Sequence, residues 1–567
     1  MKKTNKTSEK KGPLYNLLTK DIKEFNGIIL SLVCIGILLG AGLLSYKITN
    51  SYALFTDSVA GEKTIEVTAS NCKIRSVAKD TSGANTPDLS NNMIPVYYDE
   101  CDEVWKKADS TNENPLYRWY NYNEKIWANS VTVSSTNRST YKNASPGTII
   151  PMDDILTMQV WIPRYKYKVF NYNADGTVAS EPQEIEITFE KETATTGEIS
   201  CSDSISGTDG AASETCKLKS TNATCTDDTC NGKTYTHPAF TFGTQELKGM
   251  WVGKFEISAP TDSTCYTSES EANCNVTGIT PLVKPDVMSY RYAQVGTFET
   301  NIMAMNDSGN IYGFSATTDT HMMKNMEWGA VAYLSHSKYG INSEVYINNS
   351  SSYYTGRSGG NVGGQTPINE TYTDQTSTTQ YNLYGFYTYD GYLLEYDTNT
   401  KSTTKDMTKI ASTTGNIYGI YDMSGGADED VMGNIVSNDV TTMMSGDSTS
   451  DNSGYTGIIY DSGNYTSYTG SYSYPESKYL DKYSNGNSGT NRIRSKLGDA
   501  TKEVYNITNN FSYAWYSDLT TGAFNSFPWF SHGGTYSNNS YAGIMETMRS
   551  YGGASSSTSA RVVVLAS

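Results

Sequence analysis

In GNIYGIYDMSGGADEDVMGN, Gly415 to Asn434, a run of aromatic, glycine and turn residues passes into a block of carboxylates. Gly419 permits a tight turn, Tyr418 and Tyr421 offer large packing faces, and Asp422 can accept hydrogen bonds from turn backbone. This half reads as fold core. The three clustered carboxylates that follow, Asp428, Glu429 and Asp430, suit a hard cation such as calcium, with a solvated acidic turn as the competing reading.

The chain around this stretch has 567 residues, enough for a few domains. It is 37% hydrophobic and only 18% charged, with 45 tyrosines and 48 glycines, which favours strands joined by turns. No sustained heptads occur, which argues against a coiled coil. The formal charge is −17; residues 1–26 carry seven lysines against Glu9, Asp21 and Glu24, a balance of +4, so the remaining body carries −21. A body this acidic repels phosphate backbones, and no nucleic-acid partner is expected.

IILSLVCIGILLGAGLLSY, Ile28 to Tyr46, contains no charge and is long enough to cross a hydrocarbon core as a helix. The lysines before it place a basic head, 1–27, in the cytoplasm and everything after the segment outside. The alternative is a cleaved signal: SYALFTDS, Ser51 to Ser58, resembles the cleavage region of surface proteins from spore-forming bacteria. Either way the body is extracellular, on a single N-terminal membrane anchor or secreted.

The cysteines agree. Cys34 lies in the apolar segment, and Cys72, Cys101, Cys201, Cys216, Cys225, Cys230, Cys265 and Cys274 lie beyond it, an even set that predicts disulfides. Short loops make Cys225 with Cys230 and Cys265 with Cys274 the favoured local pairs. A zinc site on Cys216, Cys225, Cys230 and His237 is the rival, but its spacing is loose.

Along the chain, 47–150 reads as a small β-rich unit ending at the Pro-Gly of SPGTII, and 151–567 as one interrupted domain. Val160, Ile162, Tyr165 and Tyr167 lead into an Asp175-Gly176 turn, and Ile185, Ile187 and Phe189 return at period two, the pattern of a hairpin. AFTFGTQELKGMWVGKFEIS, ending at Ser258, predicts a second strand pair. Thr318–Gly340 predicts a helix capped by Asp319 or Thr320, with Met322, Met326, Ala330 and Leu334 on one face. Insertions fall near 191–236, 348–405 and 436–490. The first is a stapled loop; the other two are twisted hairpins or display loops.

Six segments, in order, resemble the formylglycine-generating-enzyme family, whose core is a C-type-lectin-like fold. They are VWIP from Val160; HPAFTF…MWVGKFEIS, with Lys254 and Glu256 in the family's register; MEWGAVAYLSHS; NIYGIYDMSGG from Asn416; HGGTYSN from His532; and ARVVVL from Ala560. The resemblance implies an α+β domain with long insertions. The family's run continues Gly-Asn-Val-x-Glu-Trp, where this chain has Gly425-Gly426-Ala427-Asp428-Glu429-Asp430: the Asn and Trp are gone and Glu429 remains in place. Its oxidase members bind copper through a late cysteine pair, and this chain has no cysteine after Cys274. Iron-dependent relatives need a histidine triad, and only His237, His321, His336 and His532 exist.

The resemblance therefore implies a non-enzymatic scaffold, similar to the variable proteins of diversity-generating retroelements, which vary a receptor face near the C-terminus. That face would span Phe524–Tyr551 with the 421–434 turn. Trp529, Phe530, Tyr536 and Tyr541 would be anchors, with Asn538, Asn539 and Ser540 adding hydrogen bonds. The expected partner is an extracellular protein or glycan; no cofactor is expected, and calcium at 428–430 is the one candidate ion. A fibre- or pilus-like subunit is the alternative function, and a divergent enzyme the third. GRSGG, Gly356 to Gly360, lacks the strand-to-helix context of a nucleophile elbow, and NYNADG, Asn171 to Gly176, has Pro182 where a calcium loop needs glutamate.

Overall fold

The computed structural model describes residues 75–566 except 103, 173–180, 349, 488–491 and 509–510. Within 358–410 it describes only the backbone of Thr371–Thr373, Gln380–Asn382, Leu393–Asp397 and Ser402–Asp406. The basic head, the apolar segment 28–46, Cys72, the Asp175-Gly176 turn and Ser358 of GRSGG lie outside the described residues. Among the described residues, no helix is long and apolar enough to cross a membrane.

The fold is α+β and rich in strands, most of them antiparallel. Its centre is a seven-stranded sheet in the order Asp319–Met322, Val562–Leu565, Gly249–Gly253, Ile155–Pro163, Asn129–Val133, Ile94–Asp99, Val104–Lys107. Val562–Leu565 is an inner strand, paired on both edges, and all four of its residues are buried, so the sheet is covered on both faces there, which is why it reads as an unbroken apolar run rather than an alternation. The strands of 94–133 continue this sheet through the pairing of Asn129 with Val160. The separate unit expected over 47–150 is therefore, from residue 75 on, part of the same sheet as the domain that follows.

A second, five-stranded sheet carries Asp481–Tyr483, Asp428–Ile435, Trp529–Gly533 and Gly543–Ser550, with Thr558–Ser559 alongside Asp428 and Glu429. Between the sheets' segments runs the helix Asn325–Ser335, every residue of which is buried. The predicted helix began too early. Residues 319–322 form an edge strand because Val562–Leu565 needs a partner on its free side: Thr320 pairs with Val564 and Met322 with Val562. Glu327 then reaches back to accept from the backbone N–H of Lys324 at 2.8 Å and starts the helix there.

Other expectations survive in part. Tyr165 and Tyr167 pair with Phe189 and Ile187 as the two arms of a hairpin, but Val160 and Ile162 belong to the central sheet. The 191–236 excursion is a hairpin, Ile199–Asp203 with Glu214–Leu218, closed by Cys201–Cys216, followed by a turn closed by Cys225–Cys230. Of the two Tyr-rich insertions, 436–490 contains a small sheet of Met444–Gly446, Gly457–Asp461 and Asn464–Tyr468, and its later strand Asp481–Tyr483 joins the second sheet.

A candidate ligand-binding face

The strands Trp529–Gly533 and Gly543–Ser550 are joined by a loop that begins with two glycines in the left-handed region, Gly533 at φ +88° and Gly534 at φ +67°. A side chain is disfavoured in both, so the sequence HGG sets where the chain leaves the sheet. Asn538 organises the loop from inside: its Oδ1 accepts from the N–H and the hydroxyl of Thr535, both at 2.6 Å. The Tyr536 N–H donates to the Gly426 carbonyl at 2.9 Å and ties the loop to the turn after NIYGIYDMSGG.

Aromatic rings cluster on this face. Tyr536 meets Tyr353 edge-on at 5.0 Å between centroids. The guanidinium of Arg291 lies 3.9 Å from the Tyr353 ring centre and 5.5 Å from that of Tyr292. Arg291 is itself held by both carboxylate oxygens of Glu269, each at 2.7 Å. On the other side of the loop Tyr541 is 45% exposed and stacks on Tyr513 at 5.9 Å. Preset tyrosine rings surrounded by serine and threonine hydroxyls give apolar contact area at little entropic cost.

Two expected anchors are core instead. Trp529 is fully buried, stacked on Tyr455 at 5.8 Å with its indole N–H donating to the Ser445 carbonyl; Phe530 packs on Tyr483 at 4.7 Å. They are strand residues of the second sheet, and the 436–490 insertion covers Trp529. Asn538 spends its acceptor inside the loop, Tyr536 and Tyr541 reach the surface, and the side chain of Asn539 lies outside the described residues.

Strand alternation separates the three carboxylates weighed as a calcium site. Asp428, Glu429 and Asp430 open a strand, so Glu429 points away from the other two. Glu429 is buried and accepts a forked ion pair from Arg561, whose Nε lies 2.9 Å from Oε2. Arg561 also donates to the carbonyls of Gly253 and Tyr421 at 2.8 and 2.9 Å. Burial pushes the Asp428 and Asp430 carboxyls up to about 7 and about 8, far above the usual range. Among the described residues the one three-member grouping at metal-ligand distances is Cys201, Glu214 and Cys216, and those two cysteines are bonded to each other. The zinc reading falls with it: Cys225 is bonded to Cys230, and His237 faces the Gly498 carbonyl.

In the turn before Asp428–Ile435, Asp422 and the neighbouring Lys254 are spent on the fold. Asp422, at φ +63°, accepts from Asn348 at 2.8 Å and from the Gly356 N–H at 2.7 Å. Gly419 serves close approach rather than a left-handed turn: a Cβ there would sit 2.6 Å from the Thr414 hydroxyl. Lys254 is buried without a carboxylate, its ammonium donating to Asn129 Oδ1, Ile417 O and Gly419 O at 2.9, 2.6 and 2.7 Å. Those acceptors use all three of its protons, which marks it as a tie between segments rather than a free nucleophile. The four histidines are buried apart. Desolvation draws His237, His336 and His532 down to about 3, 4 and 4, whereas at His321 Glu327 and then Asp319 overcome burial and push it up to about 9.

Sequence reasoning missed Arg291, Glu269, Tyr353 and Tyr513. Only Tyr353 carried a signal, its place in the Tyr-rich run SSSYYTG. No family model and no curated protein matches the chain.

Proposed function

We propose that this chain is a non-enzymatic surface protein of a bacterium, anchored by Ile28–Tyr46 or released there, that binds an extracellular protein or glycan through loops on a C-type-lectin-like scaffold. The disulfides between described residues, Cys201–Cys216, Cys225–Cys230 and Cys265–Cys274, fit an oxidising, extracellular location. The observation that carries the binding reading is the set of tyrosines held ready on the 534–542 loop and its neighbours, Tyr536 on Tyr353 and Tyr541 on Tyr513. The absence of a cysteine after Cys274 argues against copper oxidase chemistry of the resembled family.

The test is to screen the purified full-length chain against immobilised glycans and host-surface proteins, alongside Tyr536→Ala/Tyr541→Ala. Retention of a partner by the native chain and its loss in the variant, with the melting temperature unmoved, is expected. A partner held equally by both places binding elsewhere and defeats this assignment. A fibre-like subunit is favoured by one observation: Asn464–Tyr468 is an exposed edge strand, paired on one side, without charge or proline to block addition of another strand. Ordered polymers of the purified chain in electron micrographs would support that reading.

A further inference from the structure

Below the aromatic face, one side chain joins three segments. Arg291 donates to both oxygens of Glu269, to the Ser556 carbonyl, and covers the Tyr353 ring, which in turn meets Tyr536. Glu269 lies between two short helices, Thr264–Thr267 and Glu271–Cys274, that the Cys265–Cys274 disulfide closes into one loop. The end of that loop is pinned to the segment that carries Arg291: the Tyr290 hydroxyl donates to the Cys274 carbonyl at 2.6 Å, and the Gln294 N–H to Asn275 Oδ1 at 3.1 Å. Glu269 thus occupies the tip of a loop fixed at both ends.

We infer that Cys265–Cys274, Glu269 and Arg291 are the positioning elements of the ligand face. The disulfide fixes the height of Glu269, Nη2 on the Glu269 carboxylate together with Nη1 on the Ser556 carbonyl fixes the plane of the guanidinium, and that plane fixes Tyr353 against Tyr536. A guanidinium free to rotate would leave Tyr353 with several rotamers, and each mobile ring that must be frozen on binding weakens affinity. Arg rather than Lys is required, because an ammonium has neither the fork nor the flat stacking surface. Opening the disulfide would release Glu269 and loosen the face without touching a residue that meets the partner, so the thiol state of the surroundings would set affinity. This inference rests on the binding reading above only for its consequence; the positioning itself is independent of any ligand.

The experiment uses the full-length chain, free of ligand, with fluorotyrosine placed at 353 and, separately, at 536. Fluorine resonances are recorded for the native chain, Cys265→Ser/Cys274→Ser, Glu269→Gln and Arg291→Lys, with Cys225→Ser/Cys230→Ser as the control disulfide. The first three variants should move both resonances towards the position of an unfolded-chain tyrosine while far-ultraviolet circular dichroism is unchanged, and the control should move neither. Should loss of the disulfide unfold the chain, Glu269→Gln at the part-exposed loop tip still decides. Unchanged resonances in Glu269→Gln and Arg291→Lys overturn the inference. Shifted resonances in a chain whose face binds nothing would uphold the positioning and remove the proposed function instead.

Discussion

The Glu429 carboxylate and the Arg561 guanidinium, 132 residues apart in sequence, form a forked ion pair with no solvent access. It joins the second sheet to the closing strand of the first. Removing one member leaves the other charge buried alone. Arg561→Met and Glu429→Gln are each expected to destabilise the chain by about 3–5 kcal/mol, read from denaturant midpoints. A loss near zero in both would mean that solvent reaches the pair.

Trp529 and Tyr541 should separate core from face. Trp529→Ala opens a cavity in the second sheet and should cost about 3–5 kcal/mol. Tyr541→Ala removes an exposed ring and should cost about 0.5 kcal/mol or less. Val563→Asp, in the middle of the closing strand, should abolish folding, since an unpaired buried charge costs several kcal/mol. Thermal denaturation of the three variants checks all of this; equal melting temperatures for the first two would reverse the assignment of face and core.

Glu503 should make stability fall as pH rises from 7 to about 8. Burial pushes the Glu503 carboxyl up to about 8, against which the Tyr333 and Tyr167 hydroxyls and the Gly498 N–H act more weakly. The folded state therefore holds a proton that the unfolded chain has already released. Such a group stabilises fully below the ordinary carboxylate range and loses its contribution as pH climbs through its folded value. The slope is up to about 1.4 kcal/mol per pH unit for each such group. His321, pushed up to about 9, works in the same direction. The lowered histidines act only below their ordinary value, so they do not offset the fall. Glu503→Gln should flatten the pH profile of the melting temperature between 7 and about 8; an unaltered slope would show that Glu503 ionises freely in the fold.

Non-reducing peptide mapping of protein from the native surface should return Cys201 with Cys216, Cys225 with Cys230 and Cys265 with Cys274. Free thiols at these positions would remove the argument for an oxidising location.

The legible parts of this fold were those where one force acts alone. VVVL is apolar at every position, the pattern of a strand covered on both faces. Local cysteine spacing favoured two of the pairs, because short loops close readily. Where two forces compete, the sequence misled. The residues DTHM carry helix-compatible periodicity with MEWGAVAYLS, yet the open edge of Val562–Leu565 outbids the helix for them. Trp529 and Phe530 have the composition of an exposed binding stretch, and only the placement of the distant insertion at 436–490 shows that Trp529 is covered. Arg291 and Glu269 were invisible for a simpler reason: an ion pair that supports a ring leaves no pattern in sequence.

Arg561 lies 308 residues downstream of Gly253, the neighbour whose carbonyl it holds, while the cysteines of the three local bridges are 15, 5 and 9 residues apart. A chain delivered from its N-terminus can close those bridges as soon as each pair emerges. The edge of Gly249–Gly253, by contrast, must wait for more than half the polypeptide before Val562–Leu565 arrives to pair with it. During that wait it is an open strand edge, prone to pair with another chain. Oxidation should thus precede assembly of the sheet, and the yield of native protein should depend on how fast the remaining chain is delivered, and on any chaperone that shields that edge, more than on the supply of oxidant.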